Sequence, residues 1–305
     1  MRRTFAAWLL LSGCAGSNAL LPDVDAGSDS SPAGDLAPPS AIGPMGGSVP
    51  KLFFAVVGDT RPANIDDTAN YPVDVITQIY ADLAAMNPRP QFVVTTGDYM
   101  FASPYAAEGA KQMALYSKAS AQFPNPIFSA MGNHECTGAT ASNCASAPTN
   151  NMAAFMDALV KPLGQSKPYY TVPVSDDSGK WTAKIVIAAC NAWDPTQSSW
   201  LAGELAKPTT YTFVVRHEPT GTQGPPCVGE MDSMLSQATY DLFIVGHSHT
   251  FQHRGKQLTV GNGGAPLSGG VTFGYATVEQ QDSGGFLVTQ YEYAGATPID
   301  TFTVQ

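Results

Sequence analysis

From Lys51 onward the chain repeats one unit: an apolar run of strand length, a Gly or polar turn, then a stretch with helical spacing. The apolar runs are residues 52–57 (LFFAVV), 92–95 (FVVT), 126–131 (PIFSAM), 184–189 (KIVIAA), 211–215 (YTFVV) and 242–245 (LFIV). They are apolar at nearly every position rather than at alternate ones, which predicts strands covered on both faces. Helices are predicted over residues 73–86, 105–119, 152–160, 198–205 and 229–237. After Gln257 the pattern changes. QLTVGN, TFGYATVE, GGFLVTQYEY and IDTFTV are strand-like and separated by short Gly-rich turns, a β-rich, antiparallel finish. The expectation is a single α/β domain over residues 51–305, with no internal repeat or composition break to divide it.

The first fifty residues follow another pattern. Arg2 and Arg3 precede a short apolar run, FAAWLLL at residues 5–11, as in an export signal. The run is too short to span a bilayer. Leu11-Ser12-Gly13-Cys14 follows and resembles the lipobox of bacterial lipoproteins, with an ordinary cleaved signal as the alternative. The resemblance implies that residues 1–14 are a signal ending at a lipidated Cys14. The protein would then be exported and anchored to the cell envelope, at the outer membrane or facing the periplasm, touching membrane through the lipid only. Residues 15–50 are rich in Gly, Ser, Pro, Ala and Asp, with no aromatic, Lys or Arg, and are expected to form a disordered tether.

Charge and cysteines narrow the function. The chain has 305 residues, 13 % of them charged, and a formal net charge of −10, which argues against nucleic acid as a partner. Four cysteines remain after Cys14. In an exported protein Cys136, Cys144, Cys190 and Cys227 invite two disulfides, with three connectivities open. The pairing Cys136–Cys144 with Cys190–Cys227 is preferred because the first closes a short loop. Zinc is the alternative, but no paired C-x₂-C spacing supports it.

The chemistry stands at the ends of the apolar runs. They are followed in turn by Gly58-Asp59-Thr60-Arg61, Gly97-Asp98-Tyr99, Gly132-Asn133-His134-Glu135, Arg216-His217-Glu218 and Gly246-His247-Ser248-His249. Four of the chain's five histidines lie there, beside two aspartates and an asparagine. Ligand sites of α/β sheets collect at the carboxyl ends of strands. Carboxylate and amide oxygens with imidazole nitrogens form a ligand set for Zn, Mn or Fe. His253 and Arg254 are expected on an exposed turn, and Tyr71, Phe101, Tyr105 and Trp193 are weaker candidates for a pocket wall. No phosphate-binding Gly loop or nucleophile elbow is convincing.

In this order, GD-x-R, GD, GNHE, H and GHSH resemble the calcineurin-like metallophosphoesterases, which include the purple acid phosphatases. The resemblance covers roughly residues 51–292, including QSSWLAGEL and VGNGGAPL. It implies a four-layer fold, a central β-sandwich of mixed sheets flanked by helices. It implies two divalent or trivalent metal ions (Fe, Mn or Zn), with Asp98 bridging them. Asn133, His217 and His247 would complete one position, and Asp59 and His249 would serve the other. A hydroxide held by the metals would attack phosphorus in a phosphorylated small molecule, monoester or diester, while His134 holds the phosphoryl group and protonates the leaving oxygen.

Two departures qualify this. Arg61 stands where the family usually has a histidine, and a guanidinium has no lone pair to give. The first position would then be weak or vacant, or filled out by water, and Arg61 would grip substrate phosphate. The alternative is a non-catalytic or mononuclear surface binding lipoprotein on the same scaffold. The second departure is Phe101, at the position of the iron-binding tyrosine of purple acid phosphatases. Residues 99–103 also lack the carboxylate that supports the catalytic histidine in other branches, and Glu135 is expected only to shape its loop.

Overall fold

The computed structural model describes residues 41–137 and 142–305. The expected signal segment, Cys14 and the tether through residue 40 lie outside the described residues. In chain order the strands are β1 (Ile42–Gly43), β2 (Gly46–Val49), β3 (Phe53–Val57), β4 (Val93–Thr95), β5 (Ile127–Ser129), β6 (Tyr170–Asp176) and β7 (Thr182–Ile187). They continue with β8 (Tyr211–Val215), β9 (Leu242–Val245), β10 (Phe251–Arg254), β11 (Gln257–Val260), β12 (Gly274–Gln280), β13 (Phe286–Glu292) and β14 (Thr297–Val304). The α-helices are α1 (Val73–Ala85), α2 (Glu108–Ser120), α3 (Asn150–Phe155), α4 (Pro195–Ala206) and α5 (Val228–Gln237). No helix among the described residues is long and apolar enough to cross a membrane.

The predicted elements are present with ends moved by a few residues. α4 starts earlier than its apolar pattern suggests because Asp194 caps it, accepting from Gln197 N at 2.7 Å, and Pro195 takes the first turn.

Two mixed sheets result, ordered β1-β2-β6-β7-β8-β9-β11-β10 and β14-β13-β12-β3-β4-β5. Their inner faces meet in an aromatic seam. Phe54 of β3 stacks on Phe92 at 5.1 Å and meets the edge of Phe213 of β8 at 5.2 Å, and Phe213 meets Phe286 of β13 at 4.9 Å. Leu201 of α4 and Met231 and Leu235 of α5 cover Val186, Val214 and Phe243 on the outer face of the larger sheet. Ile76, Ile79 and Leu83 of α1 and Met113 and Tyr116 of α2 join the main core. The fold is therefore the expected four-layer α/β sandwich with a β-rich end. Near-continuous apolar strands are required because both faces of each sheet's middle are covered.

Three differences have physical causes. The expected tether reached residue 50, yet β2 pairs in parallel with β6, so residues 42–49 belong to the larger sheet. Backbone pairing recruits this Gly- and Ser-rich segment, and Ile42 and Val49 at its two ends anchor it in the main core. β6 escaped notice because Pro173 and alternating burial make it look like a broken strand. The antiparallel finish holds for β12, β13 and β14, but β11 runs parallel to β9 and β10 is its antiparallel edge partner. His253 and Arg254 therefore lie on an edge strand, where the His253 ring stacks on Phe302 at 3.7 Å.

The four cysteines pair as Cys136–Cys144 and Cys190–Cys227. Phe54 is fully buried between the sheets. Phe54→Ala is expected to lower unfolding stability by about 3–5 kcal/mol, read as a shift of the urea midpoint. A loss under about 1 kcal/mol would contradict the seam's central place.

Candidate metal centre

β3, β4 and β5 are parallel neighbours in one sheet, and β8 and β9 are parallel neighbours in the other. The loops leaving their carboxyl ends converge. His217 Nε2 lies 3.1 Å from Asn133 Oδ1 and 3.3 Å from Asp98 Oδ1. His247 Nδ1 lies 3.1 Å from Asn133 Oδ1 and 3.1 Å from His217 Nε2. On the other side, Asp59, Asp98 and His249 each offer one atom within 4.8 Å of the others, with His249 Nε2 3.6 Å from Asp59 Oδ1. All six sequence-predicted ligands are thus gathered. The two oxygens of Asp98 face different neighbours: Oδ1 faces His217, while Oδ2 is 3.6 Å from Arg61 Nε and 3.7 Å from His134 Nε2.

The first group of four has the spacing of a coordination shell. Donors about 2.1 Å from one ion stand about 3.0 Å apart in an octahedron and about 3.4 Å in a tetrahedron. The observed 3.1–3.3 Å falls between these values. Hydrogen bonding alone accounts for this poorly. Asn133 Oδ1 has no proton, and His217 Nδ1 donates its own to the carbonyl of Thr96 at 2.8 Å. Protons on both His217 Nε2 and His247 Nδ1 could serve the two Asn133 contacts but would then face each other across 3.1 Å, whereas a cation serves all four contacts. The same logic fixes His249, whose Nδ1 donates to Pro266 O at 2.9 Å and leaves the Nε2 lone pair facing Asp59.

The backbone is bent to achieve this. Asp59, Asp98, His247 and His249 all have positive φ, at 55°, 58°, 70° and 51°. Such conformations cost about 1–3 kcal/mol each in non-glycine residues and persist where the surroundings hold them. Here they hold one another. His247 N donates to both oxygens of Asp59, Asp59 N to Gly97 O, and Thr60 N to Asp98 O. Gly97 and Gly132 permit the crowding. Gly97 has φ 105°, and a Cβ there would stand 2.9 Å from His217 Nδ1. A Cβ on Gly132 would stand 2.6 Å from Asp98 N and closer still to Asp98 Oδ1.

Glu135 does more than shape its own loop. Fully buried, it accepts from Asp98 N, Tyr99 N and Gly132 N at 2.8–2.9 Å and from Met100 N at 3.3 Å, tying the loops after β4 and β5 together. No spacing rule marks it; only its adjacency to GNH did. Burial and the neighbouring Asp98 push its pKa up to about 7, against the pull of these N–H donors. Burial raises the pKa of Asp59 well above the usual carboxylate range. Burial would raise Asp98 too, but the charge and hydrogen bond of His217 and the Arg61 guanidinium hold it low. Burial would lower His217, yet the carboxylates of Asp98, Asp59 and Glu218 raise it. Burial and nearby cations lower His134 and His247 to about 4 and depress His249 as well.

Two further groups flank the ligands. Arg61 Nη2 lies 3.3 Å from His249 Nε2, Nη1 donates to Pro62 O at 2.9 Å, and the guanidinium sits 4.9 Å over the Phe101 ring. His134 meets the same ring edge-on at 4.6 Å. Arg61 Nε and His134 Nδ1 are buried without a hydrogen-bond partner. At an effective dielectric of 20, a guanidinium about 4 Å from a divalent ion repels it by about 8 kcal/mol.

The remaining candidates separate from the site. Tyr99 turns into the core, its hydroxyl donating to Ala130 O at 2.8 Å, and Tyr71 donates to Tyr99 O at 2.7 Å. Tyr105 is exposed, and Trp193 packs in the core under α4 and α5. A cleft of about 820 Å³ beside β2, β6 and β7 is lined by residues such as Thr171, Lys184 and Lys207 and holds none of the six ligands. Gly132→Ala is expected to weaken divalent-ion affinity by about 10–100-fold while leaving the far-UV circular dichroism unchanged. Unaltered affinity by calorimetry would contradict the role given to that close approach.

A sequence model of the calcineurin-like phosphoesterase family matches residues 54–251. No curated protein matches the sequence. Among solved structures the chain is similar to GAP50, the anchor in the inner membrane complex of Plasmodium. Identity is 15 % and the TM-score 0.58, covering 84 % of this chain and 89 % of that one. It is also similar to purple acid phosphatase PPD1 from yellow lupin (Lupinus luteus) seeds, at 16 % identity and a TM-score of 0.56. That match covers 86 % of this chain and 54 % of the lupin enzyme, so this chain spans about half the enzyme's length. At such identities the structural likeness shows the fold alone. The family match begins within β3 and ends in β10, so it encloses every strand-end loop of the centre. This chain belongs to the calcineurin-like phosphoesterase family.

Proposed function

We propose that this chain hydrolyses phosphate esters of small molecules at the Asp98 centre, with Fe, Mn or Zn as the resident metal. The observation that carries the proposal is the set of donor atoms spaced 3.1–3.3 Å apart on Asp98, Asn133, His217 and His247. These four residues would hold one ion, and Asp59, Asp98 and His249 form the adjoining position. A bound ion supplies Lewis acidity toward a phosphoryl oxygen and lowers the pKa of its water.

The chain's own residues supply the rest. Buried Asp59 and Asp98 fix the negative charge that positions a cation, and the carbonyls of Thr96 and Pro266 hold His217 and His249 with Nε2 facing inward. Phe101 packs against both His134 and Arg61 and fixes their planes. The unpartnered Arg61 Nε–H and the His134 ring are suited to phosphoryl oxygens. His134, neutral at pH 7 by virtue of burial, gains a proton more readily once a phosphate dianion arrives, and can then give it to the leaving oxygen.

Anchoring through a lipidated Cys14 is part of the proposal. The LSGC sequence supports it, and two disulfides suit an oxidising compartment outside the cytosol. The Arg61 guanidinium beside His249 favours one rival, a binding protein without turnover.

Chelator-stripped full-length protein is expected to regain turnover of p-nitrophenyl phosphate or bis-p-nitrophenyl phosphate with Mn²⁺, Zn²⁺ or Fe²⁺. No turnover with any of them would contradict catalysis and leave the binding reading. Asp98→Ala and His247→Ala are expected to lose both bound metal and activity. His134→Ala is expected to lower kcat by about 10²–10⁴ while metal content by elemental analysis stays unchanged. Normal turnover in that variant would remove His134 from its assigned role.

A further inference from the structure

We propose that Arg61 is itself a resident cation of the centre: its guanidinium takes the place of one ion, and the chain binds a single divalent ion at Asp98, Asn133, His217 and His247. The inference rests on the metal-dependent reading above and concerns how many ions that site accepts.

The two halves of the centre differ in what faces the ligand atoms. The two side-chain groups that meet Asn133 Oδ1 at 3.1 Å are ring nitrogens, His217 Nε2 and His247 Nδ1, each able to present a lone pair to an ion. Around His249 Nε2 the nearest donor is a fixed positive charge. Nδ1 of that ring donates to Pro266 O, so Nε2 carries the lone pair, and Arg61 Nη2 lies 3.3 Å from it. A lone pair engaged by an N–H cannot also coordinate an ion. A guanidinium has only N–H donors and no acceptor, so this contact can only be a donation into the ring's lone pair. Asp98 Oδ2, the other atom an ion there would need, lies 3.6 Å from Arg61 Nε. The guanidinium therefore spans two of the three donors on that side.

It is also held there. Nη1 donates to Pro62 O, the plane lies over Phe101 at 4.9 Å, and the side chain is only 13 % exposed. Swinging the group aside would break these contacts and leave the Phe101 face open. Charge points the same way. Two divalent ions plus a guanidinium over the Asp59 and Asp98 carboxylates would concentrate three net positive charges in a buried site. One ion plus the guanidinium leaves one. The second arrangement still offers a phosphoryl group two cations, one on each side of Asp98.

The test counts ions on full-length protein. Stripped wild type is reloaded with excess Mn²⁺, desalted and analysed by elemental analysis and electron paramagnetic resonance. The expected result is one equivalent with the six-line spectrum of isolated Mn²⁺. Two equivalents with a spin-coupled spectrum would overturn the proposal but leave the metal centre standing. No bound metal would overturn the centre itself, and this proposal with it. Arg61→His removes the fixed charge and adds a ligand, and is expected to raise the count from one to two with a coupled spectrum. A folded Arg61→His protein that still binds one equivalent shows that the guanidinium is not what excludes the second ion. Should that variant fail to fold by circular dichroism, Arg61→Gln keeps the stem without the charge and is read by the same two outcomes.

Discussion

Oxygen and nitrogen lone pairs pressed together inside a protein repel one another, and only a cation or a proton at their common point makes the arrangement favourable. Asn133 Oδ1, His217 Nε2, His247 Nδ1 and Asp98 Oδ1 stand in that relation at the carboxyl ends of the two sheets, with Asn133, His217 and Asp98 buried and His247 partly so. Much of the surrounding architecture is explained by the need to hold them there. Four of the six candidate ligand residues have left-handed backbones, and glycines occur where a Cβ would push the donors apart. Glu135 is buried with its oxygens filled by backbone N–H groups so that two loops move as one. Each feature alone is unfavourable, and each is offset by the others.

The division of the site between two sheets is the structural device behind this. The smaller sheet carries Asp59, Asp98, Asn133 and His134 after adjacent parallel strands, and the larger carries His217, His247 and His249. Neither sheet holds a full shell. Bonds from His217 Nδ1 to Thr96 O and from His247 N to Asp59 join the halves at the site itself. Packing in the aromatic seam of Phe54, Phe92, Phe213 and Phe286 sets the distance between them. Core packing and site geometry are thus one constraint, since a shift in the seam moves one half of the ligand set against the other.

Much of this was legible in the sequence, for identifiable reasons. Buried parallel strands need Val, Ile and Phe at every position, so β3, β8 and β9 stand out, and the ligands follow them at once. What was hidden depends on backbone. β1 and β2 are Gly- and Ser-rich and join the sheet mainly through peptide groups, with only Ile42 and Val49 as isolated apolar anchors. Pro173 disguised β6, and the parallel placement of β11 beside β9 leaves no mark on its composition. The carbonyls of Thr96 and Pro266 fix two histidine tautomers, yet any residue could supply them. Arg61 was visible as a departure from the family pattern, but its contact with His249 was not.

The central claim is that the strand-end donors share a cation, and anomalous diffraction tests it most directly. Crystals of the full chain loaded with Mn²⁺ and recorded on either side of the manganese absorption edge should show a peak about 2.0–2.2 Å from Asp98 Oδ1, Asn133 Oδ1, His217 Nε2 and His247 Nδ1. A manganese-loaded crystal with no peak among those four atoms, or with the donors splayed apart around water, would contradict the account.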